Sequence, residues 1–459
     1  MGWPIQASRH PLRLLAFVWL AFGFACSEPA PEINLERAIR MGQIDQVREV
    51  IGNGGHLNAP GQSGLRPLAL AAEQGRAEIV TWLIENGSQL EATDPSGQTA
   101  LHQAAKHGQL EALEALLLAG ASPDHTTPDG WSPLHASAEE GAAKTANSLV
   151  RHGATIDALT QGGRTPLYIA TQRGHRELAL ELIGAGADIH QLDREGWTAL
   201  HVAAQGGSVM LAEKIQQRER IPIDASGPGD LSPLLVAAQN GHTDMSEWLI
   251  AQGASVNARD QRGLTAVHIA AQQGNPELVQ RLIELGMSPS VTDQEGQTPL
   301  HIAAMKGHAD VVALLLHSGS NPNARNHDGD TALHELAMTN QPEMVGHLIE
   351  SGASPNARNQ EGLTPLHTVA FSGHAAVARI LIERGAALNV MTIHRATPLM
   401  LAAQNDNRDV LIELIDQGAR LELRAIDGRT AQEAAQAAGY AESVEILKSA
   451  EAAREDSRD

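Results

Sequence analysis

Short segments of the form Thr/Ser-Pro/Ala-Leu return along this chain at a fixed interval. They begin at Thr99, Ser132, Thr165, Thr198, Ser232, Thr265, Thr298, Thr331, Thr364, Thr397 and Thr430, with Arg66 in the same slot one unit earlier. Each step is 33 residues, except for 34 between Thr198 and Ser232. A fixed period of this length means stacked supersecondary units, none large enough to bury both faces of its own helices. Stability must then come from unit packing on unit. The period overrides the division into about three domains that 459 residues would otherwise suggest.

The physics of one unit follows from its residues. Thr298 stands where a hydroxyl accepts a free amide proton of a helix's first turn. Pro299 follows at the first helical position, where a missing N–H costs nothing. All twelve units carry Pro (67, 133, 166, 233, 299, 365, 398) or Ala (100, 199, 266, 332, 431) there. Leu300, Ile302, Ala303 and Ala304 give a short helix with a small-residue face for close packing, and Gly307 ends it. Val311, Val312, Leu314, Leu315 and Leu316 are the buried set of a second helix, stopped by Gly319. The first glycine is present in ten of twelve units, Asn340 and Asp406 being the exceptions, and the second is missing only where Glu219 stands. A turn such as Asp293-Gln294-Glu295-Gly296 then leads into the next unit.

These segments, TPLHIAAMKGH (298–308) and TPLHTVAFSGH (364–374) most clearly, resemble the ankyrin repeat over about residues 32–448. The resemblance implies an all-α repeat solenoid of helix-turn-helix units joined by finger hairpins, about 13 in number with degenerate caps. The expected layout is a capping unit over 32–64, eleven repeats over 65–428, a truncated capping unit over 429–448 and a frayed charged tail over 449–459. Both end units are polar: Glu36, Arg37, Arg40 and Arg48 in the first, Glu433, Gln436, Glu442 and Glu445 in the last.

The first thirty residues read as an address. Arg9 and Arg13 precede the apolar run Leu14–Ala25, too short to cross a hydrocarbon core of about 30 Å but suited to an export signal over residues 1–25. Cys26, the single cysteine of the chain, follows at once, and residues 26–31 form a short tether. The arrangement resembles a bacterial lipoprotein signal, which implies lipidation of Cys26, with Ser27 favouring the outer membrane. That family prefers Leu where Gly23 stands. Plain secretion into the periplasm, with Cys26 a spectator, is the alternative. The formal net charge of −21 becomes about −23 once Arg9 and Arg13 are removed, so membrane contact would rest on the lipid alone.

The same charge argues against a nucleic-acid partner, which needs a basic face, and one cysteine excludes a disulfide framework or a cysteine-rich zinc site within one chain. Of the 21 histidines, seven share the slot three residues after the cap: His102, His135, His201, His268, His301, His334 and His367. Tyr168 and Leu235 take it in two other units. Groups spread along a solenoid cannot converge for catalysis, so these are read as structural, together with the capping residues. The ankyrin resemblance implies that the imidazoles hydrogen-bond within and between turns. His175, His242, His308 and His374, each after a helix-ending glycine, are read the same way. Gly52-Asn53-Gly54-Gly55 lacks the Lys-Ser/Thr of a phosphate loop, and no G-x-S-x-G or H-E-x-x-H occurs. No catalytic residue, metal or cofactor is expected.

What remains is surface. The resemblance implies partner binding through finger tips and the exposed side of the first helices, a concave face. Trp131, Trp197, Leu231, Leu264 and Leu363 precede caps, and Met305, Met338 and Phe371 follow the first-helix core. Large apolar groups on a solvent-facing stripe are candidate anchors. For Trp131 and Trp197, packing of one finger on the next is an equal reading, whereas Trp82 and Trp248 belong to second-helix cores. Two places break the pattern: KIQQRERIPIDASGPGD (214–230), with Asp230 in a glycine slot, and Val390–Arg395. Hinges, partner-specific insertions and neutral drift all remain readings of them. The expectation is a non-catalytic, monomeric scaffold or inhibitor in the envelope with a protein partner, a basic one favoured by the charge. A secreted effector and an accessory enzyme subunit are the alternatives.

Overall fold

The computed structural model describes residues 34–456 apart from 191, 192, 194, 195 and 219. The export segment, Cys26, the tether and Glu219 therefore lie outside the described residues. Twenty-six α-helices follow one another, with a single 3-10 turn at Pro228–Asp230 and no strand among the described residues. They pair into thirteen units. Within a unit the first helix is short, as in Pro299–Lys306, and the second is Ala309–His317 or its equivalent. First helices pack on the first helices of neighbouring units and second helices on second helices, without a break from Leu35 to the last unit. The result is an all-α repeat solenoid.

The core is a ribbon running through this stack. In the unit beginning at Thr298 it takes Leu300, Ile302, Ala303 and Ala304 from the first helix and Val311, Val312 and Leu315 from the second. The alanines let the helices approach closely, and leucine, isoleucine and valine fill the seam between units. Aromatic residues are nearly absent from it. Tyr168 is the one Phe, Tyr or Trp that is fully buried among the described residues.

Three departures from the sequence reading stand out. Asp230, Arg395 and Asp406 occupy glycine slots and adopt the left-handed backbone the slot demands, with φ of 59°, 59° and 54°. Asp406 is held there by Arg408 and by the Ser443 hydroxyl, 2.7 Å away. At Asn340 the slot is instead abandoned: the first helix stops early, at Ala337, and the chain crosses to Pro342 without a left-handed residue. Finally, the tail is not frayed at 448. The last helix runs Ala441–Asp456, and Arg454 donates to the carbonyls of Ile415 (2.9 Å) and Ala419 (2.8 Å), which closes that end of the stack.

Candidate functional site

The recurring geometry of the unit accounts for the histidines first. In each of the seven units the imidazole Nδ1 accepts the backbone N–H of the capping residue and its hydroxyl proton. For His301 the distances to Thr298 are 3.2 and 2.8 Å. The opposite nitrogen, Nε2, donates to a carbonyl of the next unit: Trp131 for His102 (3.1 Å), Arg164 for His135, Leu231 for His201, Gln297 for His268, Asp330 for His301, Leu363 for His334 and Ala396 for His367 (3.2 Å). A carbonyl can only accept, so the proton sits on Nε2 and the ring is neutral. Burial pushes His102, His135 and His367 down to about 4, and lowers His201, His268, His301 and His334 for the same reason.

The capping residues close the first turn as the sequence suggests, with the histidine as a second partner in seven units. Ser132, Thr165, Ser232, Thr298, Thr397 and Thr430 accept an amide proton of the first turn. At Thr99, Thr198, Thr265, Thr331 and Thr364 the hydroxyl forms a reciprocal capping box with the histidine three residues on, and lies 2.8–3.0 Å from its imidazole.

A second set runs the other way. His175, His242, His308 and His374 each donate through Nε2 to a carbonyl of the preceding unit, those of Glu139, Gln205, Gln272 and Met338. Gln109 and Asn407 make the same link with side-chain amides. Gln109, His175, His242, His308 and Asn407 each lie over the helix-ending glycine of the unit before, so that glycine provides room as well as backbone freedom; the slot before His374 is Asn340. Among the described residues no group of three or more His, Cys, Asp or Glu could hold a metal ion. No helix among them is long and apolar enough to cross a membrane.

The candidate anchors fall into three classes. Met305, Met338 and Phe371 are exposed, at 40%, 49% and 57%. Trp131, Trp197 and Leu231 are half-buried against the core, and Leu363 is half-buried. Trp131 and Trp197 also pack on the imidazoles of His135 and His201, with ring centroids 5.9 and 5.4 Å apart. Leu264 is a correction: it is 4% exposed and offers nothing to a partner. The preceding unit carries Leu235 rather than His in the slot that faces this junction, and both leucines belong to the buried core. Trp82 and Trp248 are half-buried and packed on that core.

Hollows on the first-helix face bring some of these groups together. One of about 450 Å³ gathers Met338, Leu363, Phe371 and Leu401 with Asp330, Glu335 and Glu361. Two smaller ones, of about 250 and 270 Å³, lie beside Trp131 and Leu231 respectively. A larger cleft of about 680 Å³ lies elsewhere, in the irregular stretch of unit six, lined by Glu213, Arg220 and Trp248 among polar neighbours. It gathers no candidate anchor.

Sequence reasoning missed Glu335 and Leu401. Glu335 sits at a first-helix position that is Ile269 and Ile302 in the two preceding units. Burial first, then Asp330 and Asp328, raises its carboxyl to about 7. That departure from the repeat was the available signal.

Comparison with family models agrees with the stack. Models described as "Ankyrin repeats (3 copies)" match residues 35–127, 110–193, 172–260, 234–326 and 316–392, and one described as "Ankyrin repeat" matches 394–426. A search of curated proteins returned no match. With matches running from 35 to 426 and thirteen helix pairs in register with the period, the chain belongs to the ankyrin-repeat family.

Proposed function

We propose that this protein is a non-catalytic scaffold or inhibitor that holds a protein partner in the bacterial envelope, anchored by a lipid on Cys26. Ankyrin repeats mediate protein–protein interaction, and the first-helix face is the surface assigned to that task. The observation that carries the reading is the exposure of Met305, Met338 and Phe371 in three consecutive units of one unbroken stack. Unpartnered methionine and phenylalanine side chains on one face lower the cost of desolvating that face when a partner covers it.

The envelope assignment rests on the sequence pattern around Leu14–Cys26. It is tested by replacing Cys26 with Ser and following the protein through membrane fractionation. The proposal expects the native protein with membranes and Cys26→Ser in the soluble envelope fraction. An unchanged distribution contradicts the anchor and favours plain secretion.

A further inference from the structure

The hollow in units ten to twelve combines two features that are separate elsewhere on the face. Its walls are apolar: Met338, Leu363, Phe371 and Leu401. Its rim is acidic: Asp330, Glu335 and Glu361, with Asp328 on the adjoining finger. Among the described residues none of these four carboxylates is in an ion pair. Glu139, on the first helix of unit four, is paired with Arg173. The Asp330 carboxylate accepts a hydrogen bond from the Asn359 amide at 2.9 Å.

The finger tips change character at the same place. Along this edge, six successive fingers each donate a backbone N–H to the finger before. The donating residue is Gln261, Gln294, His327 or Gln360 in four successive units. In the next two it is Ile393 and Ile426, exposed at 58% and 69%. Ile393 bonds to the carbonyl of Glu361 (2.9 Å), so it stands beside the rim of the hollow. The irregular stretch Val390–Arg395 is thereby part of this surface.

We infer that the groove of Met338, Leu363, Phe371 and Leu401, with its rim of Glu335, Asp330 and Glu361, docks a protein segment presenting an apolar side chain flanked by Lys or Arg. The inference rests on the reading of the first-helix face as a binding surface and narrows it to one place and one partner chemistry. Charge complementarity selects the occupant. An apolar segment alone would leave the Asp330 and Glu361 carboxylates of the rim desolvated without a counter-charge, which is costly, and a basic neighbour supplies it. A second copy of this acidic chain would bring further negative charge to the rim.

The test uses the folded chain and an array of synthetic twelve-residue peptides. Each peptide pairs Lys, Arg, Gln or Glu with Leu, Phe or Ser two positions away. Peptides combining Lys or Arg with Leu or Phe are expected to bind at least about tenfold tighter than Gln–Ser peptides. Phe371→Ser should abolish that preference. Glu335→Gln combined with Glu361→Gln should remove the preference for Lys and Arg over Gln while keeping that for Leu and Phe over Ser. Phe371 is exposed, and circular dichroism checks that each variant folds.

Three results overturn the inference. The first is equal binding of basic–apolar and Gln–Ser peptides. The second is a basic–apolar preference indifferent to Phe371→Ser, which would leave the protein-binding reading intact and move the site. The third is concentration-dependent self-association lost in Phe371→Ser, which would give the groove to a second copy.

Discussion

At the scale of residues, the seven buried histidines are the most consequential groups. Each is neutral in the fold because burial keeps water from the ring and because its Nδ1 accepts the backbone N–H of the capping residue, while the Nε2 bond to a carbonyl pulls weakly the other way. In the unfolded chain the ring titrates near 6.5, so the unfolded state binds more protons as pH falls below that value. Stability is therefore fully present above about pH 6.5 and is lost as pH falls toward 4, where His102, His135 and His367 titrate in the fold. Each of those three is worth on the order of 3 kcal/mol across that window. Glu335 works in the opposite sense: raised to about 7, it favours the fold at low pH and loses that contribution as pH rises through 7. One carboxyl against seven imidazoles leaves the sum with the histidines. Urea denaturation at pH 7.5 and pH 5 is expected to give a markedly lower midpoint at pH 5, and equal midpoints contradict the neutral-latch geometry. These latches were legible because their slot repeats. The environments of Leu264, Trp131 and Trp197 were not, because the position before each cap is shaped by its neighbour. Leu264 is buried where the preceding unit has Leu235 in place of His.

At the scale of elements, the glycine ending each first helix has two duties, and they can be separated. Gly274 has φ of 69°, and a Cβ there would stand 2.6 Å from Nδ1 of His308 in the next unit. Gly174 has a similar φ of 79° with nothing within 4 Å of the added carbon. Both Gly→Ala changes should cost about 1–2 kcal/mol for the left-handed backbone. Gly274→Ala should lose a further 1 kcal/mol or so as the His308 bond to Gln272 is displaced. Thermal melts of the two variants check this, and equal losses would mean the imidazole moves aside freely. Element order and the caps of most first helices followed from the period, since Pro, Ala and Gly act locally. What the period did not convey is tertiary. Arg454, thirty-five residues beyond Ala419, returns to bond its carbonyl and so keeps the last helix intact past residue 448. Likewise the early end at Ala337 arises where the glycine slot is Asn340.

At the scale of the whole molecule, neighbour-only packing makes the chain a linear frame on which each unit displays a few side chains. The period alone establishes that frame. It does not say where on the frame a partner sits, because that depends on departures from the repeat: Glu335 for an apolar residue, Ile393 and Ile426 for glutamine, Phe371 among smaller neighbours. Those departures cluster in units ten to twelve. The account is tested most directly by placing a photo-activatable crosslinker at one residue per face and irradiating cells that make the protein. Position 371 reports the first-helix face, and positions 118 and 412, exposed at 82% and 42% on second helices, report the opposite one. The account predicts a discrete protein adduct from position 371 and none from 118 or 412. An adduct from the second-helix positions with none from 371 would contradict it.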